Sequence, residues 1–286
     1  MDAQGNLEHW ERLASFHGTG SDDYYDIPAL IRGDMQLGRW ESAGLSLVAP
    51  DGDVTGLSIA HVQSHIGIDS VHLARRGARV TAFDFSPTAL ERVASIAQSC
   101  GVDVETVLAD SQRLATDDFA SWHGAFDVVY ATIGVIYWIR DLDAWMAGAA
   151  ALLRPGGRLL LIDLHPLYCM PDSVNPLVMD FPYASDGGRK YSGTGSYANR
   201  DADFSWTTDN FAWSLGETVT AAVKEGLRVV SLGEHLESAT DPRGSLLGGE
   251  ADGLYRWRLG SGQGEQPAEP LPIIFTLVAQ KESIDG

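Results

Sequence analysis

From Gly56 onward the chain alternates short apolar runs with stretches of helical period. GLSIAHV, ARVTAFDFS, VDVETVLAD, FDVVYATIG and RLLLIDLHP read as five successive strands, the second ending at Asp84 and the third at Asp110. Between them DSVHLARRG puts Val71, Leu73 and Ala74 on an inner face with Gly77 as a stop, and SPTALERVASIAQSCG opens on a Ser86 cap followed by Pro87. DLDAWMAGAAALL is amphipathic, and RPGG reads as its stop and turn. LGETVTAAVKEGLRVVSLGEH then supplies a helix and a sixth strand, and PIIFTLVAQK a β-branched terminal strand. This alternation predicts an α/β protein built on a doubly wound, mostly parallel sheet.

Regularity lapses between residues 167 and 213, which are rich in Pro, Gly, Ser, Asp and aromatics. A structureless loop of that length is rare inside a compact domain, so the segment is expected to be an inserted lid or small antiparallel cap. Insertions after the carboxyl end of a strand lie over the ligand crevice of such sheets. The expected organisation is 1–55 as an N-terminal lid, 56–166 as the cofactor-binding core, 167–213 as the substrate cap and 214–286 as the rest of the sheet. GSGQGEQPAEP reads as a flexible loop before the last strand.

A hydrophobic content of 44% over 286 residues leaves ample material for a core. The formal charge of −19 has the wrong sign for a phosphate backbone, which argues against a nucleic-acid partner. Cys100 and Cys169 are far apart and form no CxxC, so neither a disulfide framework nor a thiolate metal site is signalled. MDAQGNLEHWERLASF lacks the basic patch and apolar run of a signal peptide, and no later run is long enough to span a bilayer. A cytoplasmic protein without a membrane partner, monomeric or homodimeric, is the expectation.

Ligands of doubly wound sheets bind outside the carboxyl ends of the strands, so the residues there carry the chemistry. Asp84, followed by Phe85, lies seventeen residues beyond Gly67, close to the spacing of an acidic group that accepts from a ribose diol. Ser86 already suits the helix cap, which frees Asp84 for that role. Asp110 and Ser111 are placed to meet an adenine amine and ring nitrogen. The backbone of Ala131, Thr132 and Ile133 is placed to line the crevice beyond the ribose.

HVQSHIG, VTAFDFS, LADSQRL, FDVVYATIGVIYWIRDL and LLRPGGRLLLIDLHP together resemble a class I S-adenosylmethionine-dependent methyltransferase from Gly56 to the end of the chain. The resemblance implies the Rossmann-like methyltransferase fold with a seventh, antiparallel strand, and S-adenosylmethionine as cofactor. The family's first loop usually reads D-x-G-x-G-x-G, whereas this chain has His61, Gln63 and His65 at the first three positions and keeps only Gly67. A branch with an HLQCHxG loop is similar, down to the Asp69 that follows. Such a loop has only to run past an adenosine and an amino-acid moiety. Gln63 and His65 are therefore candidate contacts to the cofactor, while His61 reads as a core histidine.

Methyl transfer from a sulfonium needs alignment in a dry crevice, and a base only for acceptors that hold their proton near neutral pH. His165 after the fifth strand and His17 in SFHGTGSDDYYD are the candidate bases, with His235 a lesser one; His9, His72 and His123 read as surface or helix-face residues. Tyr24 and Tyr25 in the N-terminal lid and Trp138, Tyr168 and Trp213 are candidate substrate contacts, the last three part of an aromatic set flanking or filling the cap with Tyr137, Phe181, Tyr183, Trp206 and Phe211. No tight His/Asp/Glu cluster suggests a metal. The expected activity is methyl transfer to O or N of a small organic molecule, of the kind met in secondary metabolism. The competing readings are a non-methylating or structural use of the same cofactor and an NAD(P)-dependent oxidoreductase, the latter disfavoured because G-x-G-x-x-G is absent.

Overall fold

The computed structural model describes residues 4–20, 24–174, 176–241, 244, 247–249, 251–258 and 271–283. The chain opens with helices α1 (Gln4–Phe16), α2 (Ile27–Arg32) and α3 (Arg39–Val48). The α/β alternation follows with β1 (Ser58–Val62), α4 (Ile68–Arg75), β2 (Arg79–Asp84), α5 (Pro87–Ser99), β3 (Val104–Leu108), β4 (Phe126–Thr132), α6 (Leu142–Leu152) and β5 (Leu153–Leu164). A short α7 (Pro166–Cys169) leads into two hairpins, β6 (Pro171–Val174) with β7 (Leu177–Met179) and β8 (Arg189–Thr194) with β9 (Ser205–Asn210). Then come α8 (Leu215–Lys224), β10 (Leu227–His235), the small pair β11 (Leu247–Gly249) and β12 (Tyr255–Trp257), and β13 (Ile274–Lys281).

Seven strands form one sheet in the order β10-β13-β5-β4-β1-β2-β3. β1 to β5 are parallel, and β13 runs antiparallel to both of its neighbours. The order reverses at β1, between β2 and β4, which is where a doubly wound sheet opens its crevice. The inner strands are nearly continuous apolar runs because both faces are covered. Ala60, Val129, Leu159 and Leu161 pack toward α6 and α8, and Ile59, Val128, Leu160 and Ile162 toward α3. This period of two settles the register.

Local signals act as read. Ser86 Oγ accepts from Ala89 N at 3.0 Å, with Pro87 in the first turn of α5. Ser214 and Glu217 form a reciprocal capping box on α8. RPGG differs from its expected role, because α6 ends at Leu152 and the strand begins at once with Leu153. Residues 154–157 form a bulge between the Phe126–Leu153 and Val128–Arg158 pairings. Gly157 is required there, since a Cβ would lie 2.9–3.1 Å from three backbone carbonyl oxygens. The GSGQGEQPAEP loop lies outside the described residues. No described helix is long and apolar enough to cross a membrane.

Candidate functional site

One cavity of about 620 Å³ lies over the carboxyl ends of the central strands. Its wall takes in the first loop (Gln63, Ser64, His65, Gly67), the ends of β2 and β3 (Asp84, Phe85, Asp110, Ser111) and the segment after β4 (Thr132, Ile133, Trp138). Trp10, Tyr24, Tyr25, Trp40 and Glu41 close it from the N-terminal helices, and Tyr197 from the segment between β8 and β9.

The first loop places two residues with side chains in backbone conformations that favour glycine. Gln63 and His65 have φ of 60° and 49°, the left-handed region that side chains avoid at about 1–2 kcal/mol each. Each is held by bonds that offset this cost. Gln63 Oε1 accepts from the indole N–H of Trp145 at 2.8 Å, and its Nε2 donates to Val135 O at 3.3 Å. The His65 backbone N–H donates to Asp84 Oδ2 at 2.8 Å, and its Nε2 shares a proton with His17 Nδ1 at 2.9 Å. Gly67 has φ 78°, and a Cβ there would sit 2.7 Å from a methyl of Val93, so this one glycine is sterically required.

Asp84 is 6% exposed, and each of its oxygens takes one backbone N–H, from His65 and Ser86. Burial raises its pKa to about 6, against those backbone bonds. Each oxygen keeps a lone pair for a hydroxyl donor. Asp110 accepts on Oδ1 from the backbone and side-chain amides of Gln112. Ser64 Oγ is buried in the same wall without a partner among the described residues, a donor that a bound anionic group would satisfy. Glu41, Asp69, Asp84 and Asp110 line the cavity, and Arg39 is the one Lys or Arg among the described lining residues. Such a field suits a cationic ligand; S-adenosylmethionine carries a sulfonium and an ammonium, so the wall fits it.

Of the remaining candidates, Tyr24, Tyr25, Thr132, Ile133 and Trp138 lie on the cavity wall. Ala131 is wholly buried in the core, and Tyr168 is buried in the second core cluster with its hydroxyl donating to Asp241. Trp213 lines a separate small cavity with Tyr137, Phe181 and Tyr183, and donates to Ile139 O. His165 is 1% exposed and away from the main cavity, its Nδ1 accepting from Leu167 N and its Nε2 donating to Glu234. His17 is buried behind His65, its Nε2 paired with Ser196 Oγ at 3.2 Å. His235 stacks on Trp40 with centroids 3.9 Å apart.

His72 is a buried residue of the cavity wall, not the surface or helix-face residue expected, and its Nε2 has no partner among the described residues. His9 is half-buried against Trp138 and Trp206, where burial lowers its pKa to about 4. Among the described residues no group of three His, Cys, Asp or Glu could hold a metal.

Sequence reading misses Asp163. Fully buried at the end of β5, it accepts from the backbone N–H of Gly134, Val135, Ile136 and Leu164 and so shapes the loop after β4. Its one signal is a carboxylate inside the apolar run LLLIDL. Trp10, Trp40, Glu41 and Tyr197 carry no local motif, since the fold brings them to the cavity from distant segments.

Residues 59–157 match the family described as "Methyltransferase domain". A ubiquinone biosynthesis O-methyltransferase of Xanthomonas oryzae pv. oryzae is 31% identical over 114 residues, 40% of this chain. The chain spans 45% of that relative's length. An S-adenosylmethionine-dependent methyltransferase from Mesorhizobium loti superposes with a TM-score of 0.56 at 19% identity, covering 84% of this chain and 96% of the other. The [4+2]-cyclase SpnF superposes with a TM-score of 0.55 at 13% identity, over 99% and 98% of the two chains. Residues 59–157 thus resemble a methyltransferase domain, and the sheet order with its antiparallel last strand is the seven-stranded Rossmann-like fold that S-adenosylmethionine-dependent methyltransferases share.

Proposed function

We propose that the protein transfers a methyl group from S-adenosylmethionine to O or N of a small organic molecule, in secondary metabolism. The observation that carries this reading is the single cavity holding Asp84 and Asp110 at the strand ends and an aromatic wall of Trp10, Tyr24, Tyr25, Trp40 and Trp138. Its 620 Å³ lies in the range of small-molecule sites.

When bound, the cofactor supplies an activated sulfonium methyl. Asp84 accepts the ribose hydroxyls, the second oxygen of Asp110 accepts the adenine amine, and the Ser111 backbone N–H meets the ring. Ser64 Oγ donates to the amino-acid carboxylate. Gln63, pinned by Trp145 and Val135, holds the first loop against the loop after β4, and Asp163 fixes that second loop from below. His17 reaches the cavity only through His65, so its role in this scheme is to set the His65 tautomer; His165 caps α7.

The N-terminal segment and the cap meet above the cavity. Asn6 exchanges two hydrogen bonds of 2.8 Å with the Asp209 backbone, and the Tyr25 and Tyr197 hydroxyls are 2.5 Å apart. We assign residues 1–55 and 167–213 to a lid that excludes water from the transfer. The net charge of −19 supports a small-molecule acceptor over nucleic acid, and we place the protein in the cytoplasm as a monomer or homodimer. The test is incubation with methyl-labelled S-adenosylmethionine and a panel of small alcohols, phenols and amines. Label in an acceptor supports the reading; tight cofactor binding with no label in any acceptor favours a non-methylating use, as in a cyclase of this fold.

A further inference from the structure

Glu41 and Asp69 both line the cavity, yet neither serves the nucleoside end described above. Glu41 sits in the first turn of α3, which packs on β5 and β13. Asp84 ends β2, three strands away across the sheet, about 14 Å at the usual strand spacing. Asp69, in the first turn of α4, accepts on Oδ2 from Tyr130 OH at 2.8 Å and Thr132 Oγ1 at 2.9 Å. Its Oδ1 makes no hydrogen bond among the described residues. The two carboxylates are close enough for the Asp69 charge to raise the Glu41 pKa, the larger cause being burial.

A second observation stands beside this acidic pair. One turn along α4 from Asp69, on the same helix face, His72 is 7% exposed and its Nε2 is buried with no partner among the described residues. Burial lowers the His72 pKa, which keeps the ring neutral and leaves Nε2 an acceptor when the proton is on Nδ1. Arg39, the basic residue nearest in sequence, is turned to Glu237 at 3.3 Å and lies over the Trp40 ring. This end of the cavity thus offers acceptors in excess of donors.

We propose that Glu41, Asp69 and His72 form an ammonium-binding site, and that the methyl acceptor is an amine with an apolar or planar body. The N–H groups of an ammonium can be shared between the Glu41 carboxylate and the second oxygen of Asp69, with His72 Nε2 a further acceptor on the same wall; one carboxylate takes an N–H proton before transfer, which frees the nitrogen lone pair that attacks the methyl carbon as its bond to sulfur breaks. Tyr24 and Trp40 on the same wall give the cationic head and its body an aromatic surface. The proposal rests on the methyltransferase reading for the word acceptor. The site itself rests on the shared cavity wall and on the placement of Asp69 and His72 one turn apart on α4.

The test is calorimetric titration of the full-length protein, saturated with S-adenosylhomocysteine, with 2-phenylethylamine and its neutral isostere 2-phenylethanol. The amine is expected to bind at least about tenfold more tightly. Glu41→Gln and Asp69→Asn should each reduce that preference below about threefold, and Glu41→Gln should leave S-adenosylhomocysteine affinity within about threefold. Equal affinity for the two probes in the wild type, undetectable binding of both included, overturns the proposal. So does a preference that survives Glu41→Gln, or a loss of about tenfold in S-adenosylhomocysteine affinity in that variant, which would assign the pair to the cofactor's own ammonium. Failure of S-adenosylhomocysteine to bind at all is a failure of the proposed function instead, and the two probes titrated into the cofactor-free protein still decide the ammonium site.

Discussion

The indole N–H of Trp145, on α6, donates to the side-chain oxygen of Gln63, in the first loop, at 2.8 Å. Trp145 is 1% exposed, so this is the one partner that keeps a buried donor satisfied while holding the Gln63 backbone in the left-handed region. Gln63→Ala removes the acceptor, leaves φ strained and is expected to destabilise the protein by about 1–3 kcal/mol. Urea denaturation of the variant measures this; a change below about 0.5 kcal/mol would show that the bond carries no stability.

Gly67→Ala should be more damaging. The residue needs φ 78°, and its Cβ would press on Val93 of α5 at 2.7 Å. Left-handed strain and overpacking together are expected to cost about 2–4 kcal/mol. Thermal unfolding within a degree or two of the wild type would contradict the steric account.

Asp84 links burial to cofactor affinity. Burial raises its free-state pKa to about 6, and ribose hydroxyls donate to the ionised form, so binding favours the carboxylate. Affinity for S-adenosylhomocysteine should therefore be constant above pH 7 and fall as pH drops through about 6. Asp84→Asn should remove that dependence, and Asp84→Ala should weaken binding at least about tenfold, or 1.4 kcal/mol. Binding measured by fluorescence from pH 5 to 8 gives both results; a flat profile in the wild type would show that the ribose meets another group.

The chain's legibility follows from how local each signal is. Ser86, Pro87 and the strand that ends at Asp84 act through their immediate neighbours, and the structure shows them as read. Gly67 was legible as the loop's surviving glycine, but the left-handed backbone at Gln63 and His65 was not, because side-chain partners 82 and 48 residues away stabilise it. RPGG looked like a turn because Pro and Gly usually punctuate; here the strand takes them up in a bulge. Glu41 and Tyr197 reach the site only through tertiary packing. His72 looked exposed because one polar residue in a helical period cannot reveal which face a second layer covers.

His61, in β1, supplies a test of buried charge. It is 3% exposed, bonded to Ser70 Oγ at 2.8 Å, and burial lowers its pKa from 6.5 to about 4 despite the Asp69 charge. The unfolded chain therefore binds more protons than the folded one between those values. The contribution is complete above pH 6.5 and is lost as pH falls toward 4. Between pH 7 and pH 5 the wild type should lose about 2 kcal/mol more than His61→Asn. Equal losses in parallel urea titrations would show that the ring is already charged in the native state.

Calorimetric titration of the wild-type protein with S-adenosylhomocysteine and with NAD⁺ addresses the cavity's identity directly. The expected result is saturable binding of S-adenosylhomocysteine, weakened about tenfold by Asp84→Ala, with NAD⁺ bound at least about a hundredfold more weakly. Tighter binding of NAD⁺ than of S-adenosylhomocysteine would contradict the assignment of this cavity to a methyl donor.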